Sequence, residues 1–163
     1  MKDPFRIYLH DHLAGSGFAI ELLETMAKEF AGHATGVVAA EALGEVSEDR
    51  RTLETIIERV GRSQVDLKDA AAWFGEKVSR FKLRHNDPVG IGAFEAFETL
   101  GLGVMGKLAL WRALSRIAPT DERLRGYDFE RLADRAQAQF DKIDEYRLSL
   151  APVALNGQAV EHE

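Results

Sequence analysis

The segment Gly101-Leu102-Gly103-Val104-Met105-Gly106-Lys107 satisfies two phosphate-binding patterns at once, G-x-G-x-x-G and G-x-x-x-x-G-K, and Asp121 follows near the distance of a ribose-binding acid. Both patterns turn backbone N–H groups toward phosphates at the start of a helix, and both need a strand in front of an open turn. Here the residues from Ala93 to Leu100 have helical spacing without a β-branched run, and Leu108 stands where a P-loop places the Ser or Thr that binds magnesium. The pattern therefore predicts glycines inside a helix. Each costs about 1 kcal/mol against alanine, a cost that closer helix packing offsets. A nucleotide-dependent enzyme using residues 101–107 is the third functional reading of the chain.

Carboxylates and histidines are the second candidate chemistry. Di-iron bundles take a Glu from each of two helices and a Glu-x-x-His from each of two others, and Glu-x-x-His occurs nowhere in this chain. Of His10, His12, His33, His85 and His162, only the first two fall inside a predicted helix. Two residues apart on a helix is about 200° of rotation, so His10 and His12 cannot chelate together. What remains is His12 beside Ser16, the acidic set Glu45, Glu48 and Asp49, and Glu95 with Glu98, which share a face with Leu102 and Met105. His12, Asp49, Glu95 and Glu98 are thus the candidate ligands for a single metal ion; outside that alternative no cofactor is expected. The competing expectation is an internal polar cluster satisfied by Arg50, Lys107 or Arg112, because buried charge is tolerated only when paired. On helix two the inward position between Val46 and Leu53 falls on Asp49 or Arg50, at the level of Ser16 across the hairpin, so the polar layer belongs there.

Catalytic residues are not assigned. The chain has no cysteine, no serine set in a strand-to-helix elbow, and no readable oxyanion donors around His12 and Ser16. Trp73, Phe74 and Trp111 lie at helical spacing and are assigned to packing. A net charge of −6 and a pI near 5.4 exclude nucleic acid as the expected partner. No uncharged apolar run approaches the ~18 residues that span a bilayer, so no membrane role is expected. With Met1-Lys2-Asp3-Pro4 followed by no apolar leader segment, the expected location is cytoplasmic.

The elements that must position these groups are helices. Asp3-Pro4 is a helix start, and Leu9, Leu13, Ser16, Ile20, Leu23, Ala27 and Phe30 form one stripe up to a stop at Gly32. Ala39, Leu43, Val46, Leu53, Ile57 and Val60 continue on a second helix ending at Gly61, antiparallel to the first. A shorter helix is expected over residues 66–83. The next, from about Ile91 to Ile117, is apolar nearly all round and should be the most buried. Asp128 caps a last helix with the stripe Phe129, Leu132, Ala136, Phe140, Ile143 and Tyr146. No segment alternates as a strand does, so the fold class is all-α: a four-helix bundle with an additional shorter helix between the second and third long helices. Residues 1–151 make one domain, and 152–163 are expected to be a flexible tail. An extra apolar flank on helix one, Phe18, Leu22 and Met26, leaves room for a homodimer.

The run from Tyr8 to Gly15, the acidic Glu48-Asp49-Arg50, and Gly103-Val104-Met105-Gly106-Lys107 leading into Ala109 to Leu114 resemble a group of bacterial ferritin-like proteins without an assigned activity. The resemblance extends to about Ala151 and implies a ferritin-like bundle, but no chemistry. The leading functional reading is a non-enzymatic bundle with an interaction or stress-associated role, and the alternative is a metal-binding or redox bundle with an atypical carboxylate and histidine site.

Overall fold

The computed structural model describes residues 3–61 and 87–157. Four long helices account for most of them: α1 (Pro4–Glu29), α2 (Ala34–Val60), α3 (Ile91–Ile117) and α4 (Phe129–Asn156), with two short 3-10 turns between α3 and α4. Among the described residues there is no strand. Local chemistry sets the ends as the sequence predicts. The Asp3 carboxylate accepts from the Phe5 N–H at 3.0 Å with Pro4 as the first helical residue, and Asp128 accepts from the Arg131 N–H at 3.0 Å. Gly32 takes a φ of 86° in the turn after α1, a conformation that favours glycine.

Contacts between the helix ends fix the topology. The Thr35 hydroxyl donates to the Pro88 carbonyl at 2.5 Å and lies 2.8 Å from the Tyr146 hydroxyl, so the start of α2, the entry to α3 and the late part of α4 share one end of the bundle. At the other end Arg59 donates to the Arg125 carbonyl at 3.0 Å, and its guanidinium lies 4.8 Å above the Tyr127 ring. Neighbouring helices are therefore antiparallel. The diagonal pairs, α2 with α3 and α1 with α4, run parallel, so the end of α2 and the start of α3 lie at opposite ends of the bundle. The helix expected over 66–83, together with Trp73 and Phe74, lies outside the described residues.

Leu23, Met26, Ile56, Phe97 and Trp111 are the heart of a single core to which all four helices contribute. As the apolar pattern predicts, α3 is the most buried helix, with twelve buried residues against nine in α2 and six each in α1 and α4. Its burial is nevertheless one-sided: Leu110 and Leu114 are buried, whereas Leu102 is 71% exposed and Met105 39%. A corner helix meets two flanking neighbours and one diagonal one, so its outermost face meets no other described helix. On α1, Leu22 and Met26 are spent in the chain's own core rather than left on an outer flank, and Phe18 is half-buried.

The last helix also extends beyond its expected end. Instead of a tail from residue 152, α4 continues through Pro152 to Asn156 and is capped by Gly157, whose N–H bonds to Val153 O at 3.0 Å. Pro152 withholds the N–H that would reach Leu148, but both residues are exposed, so water can satisfy the freed carbonyl.

Candidate functional site

A cavity of about 310 Å³ lies among α1, α2 and α3. Its walls are largely apolar, with Leu23 and Ala19 from α1, Leu53 from α2, and Val104, Leu110 and Trp111 from α3. Asp11, Gly15 and Gly103 are exposed lining residues and mark its mouth. The glycines explain the opening. A Cβ added at Gly15, Gly103 or Gly106 would meet nothing within 4 Å, so these positions hold space rather than a close helix contact. Gly101 and Gly17 behave in the opposite way: a Cβ there would come within 3.4 Å of the Phe140 ring and 3.2 Å of Arg50 Nη1 respectively. The two small-residue clusters thus divide between packing and cavity.

The same segment settles the phosphate-loop geometry. Residues 101–107 lie inside α3, where backbone N–H groups are committed to carbonyls one turn back. No nest of free N–H groups forms there, and the nucleotide reading loses the loop on which it depended.

Replacing Gly103 or Gly106 by alanine should stabilise the protein by about 0.5–1 kcal/mol each, because helical glycine carries an entropic cost and the added methyl meets no obstacle. Denaturant unfolding of the two variants checks this; a loss of stability at both positions would mean that the space is not open.

Beside the cavity the bundle axis carries charge. Asp49 on α2 is only 3% exposed, and Lys107 on the diagonal helix α3 donates to its Oδ2 at 2.5 Å. Gln139 on α4 completes the group: its Oε1 accepts from Lys107 and its Nε2 donates to Asp49 Oδ2 at 3.0 Å. Arg135 Nε stands 3.6 Å from Asp49 Oδ1, while its Nη2 holds Glu48 at 2.7 Å. Burial pushes the Lys107 ammonium below its ordinary pKa, outweighing the opposing pull of Asp49. Desolvation thus dominates at Lys107. Arg135 moves the other way, raised first by its hydrogen bond to Glu48.

A second polar set joins α1 to α2. Arg50 Nη1 donates to Ser16 Oγ at 3.0 Å and to the Leu13 carbonyl at 3.2 Å, and its Nε binds Glu54 at 3.0 Å. This is the level at which the hairpin register places Ser16 opposite Arg50. His12, one turn before Ser16, lines the cavity and meets the Tyr8 ring edge-to-face with centroids 4.7 Å apart. Burial lowers its pKa from 6.5, against a weaker upward effect of Asp11, so the imidazole is neutral at pH 7.

Of the four candidate metal ligands the structure brings His12 and Asp49 to one cavity. Glu95 and Glu98 stand apart from it on the exposed face of α3, where Glu98 lies 3.8 Å from Arg147. They do share a face with Leu102 and Met105, but that face points outward. Among the described residues no group of three or more His, Asp or Glu is arranged to hold a metal ion. Arg112, a candidate partner for buried acid, is exposed.

Gln139 and the inward role of Arg135 escape a reading by charge alone. Gln139 falls three residues after Ala136 and four before Ile143 on the buried stripe of α4, so a polar residue in an apolar seam was the available signal. No protein-family model matches the chain, and no curated protein or solved structure shows significant similarity to it.

Proposed function

We propose that this chain is a non-enzymatic four-helix bundle of the ferritin-like plan that binds a small, largely apolar molecule in the cavity among α1, α2 and α3. Antiparallel neighbours with α2 and α3 parallel across a diagonal support the ferritin-like plan. The cavity carries the functional reading. Its volume of about 310 Å³ falls at the lower end of the ~300–1,000 Å³ typical of ligand sites, and it combines apolar walls with a few convergent polar groups. Three glycines keep it open at a thermodynamic cost that alanine would avoid, a local sacrifice of stability of the kind that functional sites carry. The polar side chains around it are committed mostly to one another, which supports binding over catalysis.

Naphthalene is a suitable probe. An apolar cavity of ~150 Å³ accommodates benzene, and this one has about twice that volume. Equilibrium dialysis should find one naphthalene bound per chain, with binding lost in Gly106→Leu, whose side chain enters the space while the helical circular dichroism is retained. Absence of saturable binding to the wild type would overturn the proposal.

A further inference from the structure

His12 lines the cavity with two ring nitrogens that no hydrogen bond or ion pair to another described residue engages. We infer that the ligand is an uncharged two-ring-sized molecule bearing a hydroxyl, and that His12 holds that hydroxyl at the cavity wall. This inference rests on the cavity being a binding site.

Three observations lead to it. The first concerns charge. The two cationic side chains at the cavity are both engaged, Lys107 with Asp49 and Gln139, and Arg50 with Glu54, Ser16 and the Leu13 carbonyl. A carboxylate or phosphate entering the cavity would have to break these contacts, and it would also meet the acidic Asp11 and Asp49. A neutral ligand avoids both costs.

The second concerns His12 itself. Its ring makes an edge-to-face contact with Tyr8, and no hydrogen bond or ion pair to another described residue engages its nitrogens, in contrast to Ser16, whose hydroxyl donates to Leu13 O at 2.6 Å. A neutral imidazole offers one donor and one acceptor nitrogen. A hydroxyl can pair with either, whichever tautomer is present, whereas a ketone or ether can pair only with the donor.

The third concerns size and surroundings. The cavity walls are largely apolar, and besides His12 the buried Trp111 Nε1 and Asp49 Oδ1 are lining atoms without a hydrogen-bond partner among the described residues, so a ligand with many polar groups would leave most of them unpaired. One hydroxyl on a compact hydrocarbon body matches His12, the unengaged group that offers both a donor and an acceptor, whereas Trp111 Nε1 only donates and Asp49 Oδ1 only accepts.

The test compares 2-naphthol, which is uncharged at pH 7, with naphthalene by equilibrium dialysis. One neutral hydrogen bond corresponds to a preference of about five-fold. The ratio of the two affinities should fall by about that factor in His12→Leu and be retained in His12→Gln, which keeps a donor and an acceptor. In the wild type, the imidazole nitrogen resonances of His12 should shift further with 2-naphthol than with naphthalene, which acts on them by ring proximity alone, a measurement that needs no variant. An unchanged ratio in His12→Leu, or His12 nitrogen shifts no larger with 2-naphthol than with naphthalene, would overturn the role of His12 while leaving naphthalene binding intact. A wild type that binds neither compound would instead remove the cavity reading and this inference with it.

Discussion

Replacing Lys107 by methionine should destabilise the protein by about 3–5 kcal/mol, the usual result of stranding one partner of a buried ion pair. Asp49 is 3% exposed, and without Lys107 its carboxylate keeps only the Gln139 amide at 3.0 Å and the looser Arg135 contact at 3.6 Å. The loss reports the stranding, not the net worth of the pair. Since desolvation dominates the environment of Lys107, the triple variant Asp49→Leu, Lys107→Met, Gln139→Leu removes every member of the cluster and should recover to within about 1 kcal/mol of wild type. Urea titration of the single and triple variants decides the matter. A triple variant no more stable than Lys107→Met would show that the cluster contributes as a network that apolar side chains cannot replace.

The second large effect is steric. Gly36 lies in the first turn of α2, and a Cβ there would sit 2.2 Å from the Phe30 carbonyl oxygen and 2.6 Å from its carbon. The obstacle is backbone, so no rotamer change relieves it, and the same carbonyl accepts the His33 N–H at 3.0 Å in the interhelical turn. Gly36→Ala should therefore cost about 2–3 kcal/mol, lowering Tm by roughly 5–10 °C for a chain of this size. Gly36 differs in this respect from Gly103 and Gly106, where the same substitution should raise stability. A thermal melt of Gly36→Ala matching wild type would place the α1–α2 turn elsewhere.

Much of the architecture is legible in the residue pattern because it rests on period and caps. Asp3-Pro4, Gly32, Gly61 and Asp128 mark helix ends, and the 4-3 stripes of α1 and α2 set which faces meet. The polar layer follows from the same reasoning: an ionisable residue at the inward position of α2, in register with Ser16, is observed as the Arg50–Ser16 contact beside buried Asp49. Direction on α3 is not legible. A helix apolar nearly all round has no amphipathic signal to tell Leu110, which is buried, from Leu102, which is exposed, and the orientation of Glu95 and Glu98 is lost with it.

The cavity is illegible for a different reason. Small residues let helices approach, yet they equally leave space where larger neighbours hold the helices apart. Gly101 and Gly103 are two residues apart, on nearly opposite sides of α3; one meets the Phe140 ring and the other meets nothing. Only the spacing of the assembled helices separates these outcomes, and that spacing is a property of the whole core. The continuation of α4 past Pro152 likewise depends on the assembled structure, since the carbonyl the proline leaves free is on exposed Leu148, where water can meet it.

Occupancy of the cavity is tested most directly by methyl carbon–proton NMR spectra of the full chain during a titration with naphthalene. Leu23, Val104 and Leu110 line the cavity, while Leu148 and Leu155 are exposed on α4 away from it. Binding in the cavity predicts saturable shifts at the first three and fixed signals at the last two. Signals of Leu23, Val104 and Leu110 that stay unmoved at saturating naphthalene, or shifts confined to Leu148 and Leu155, would contradict it.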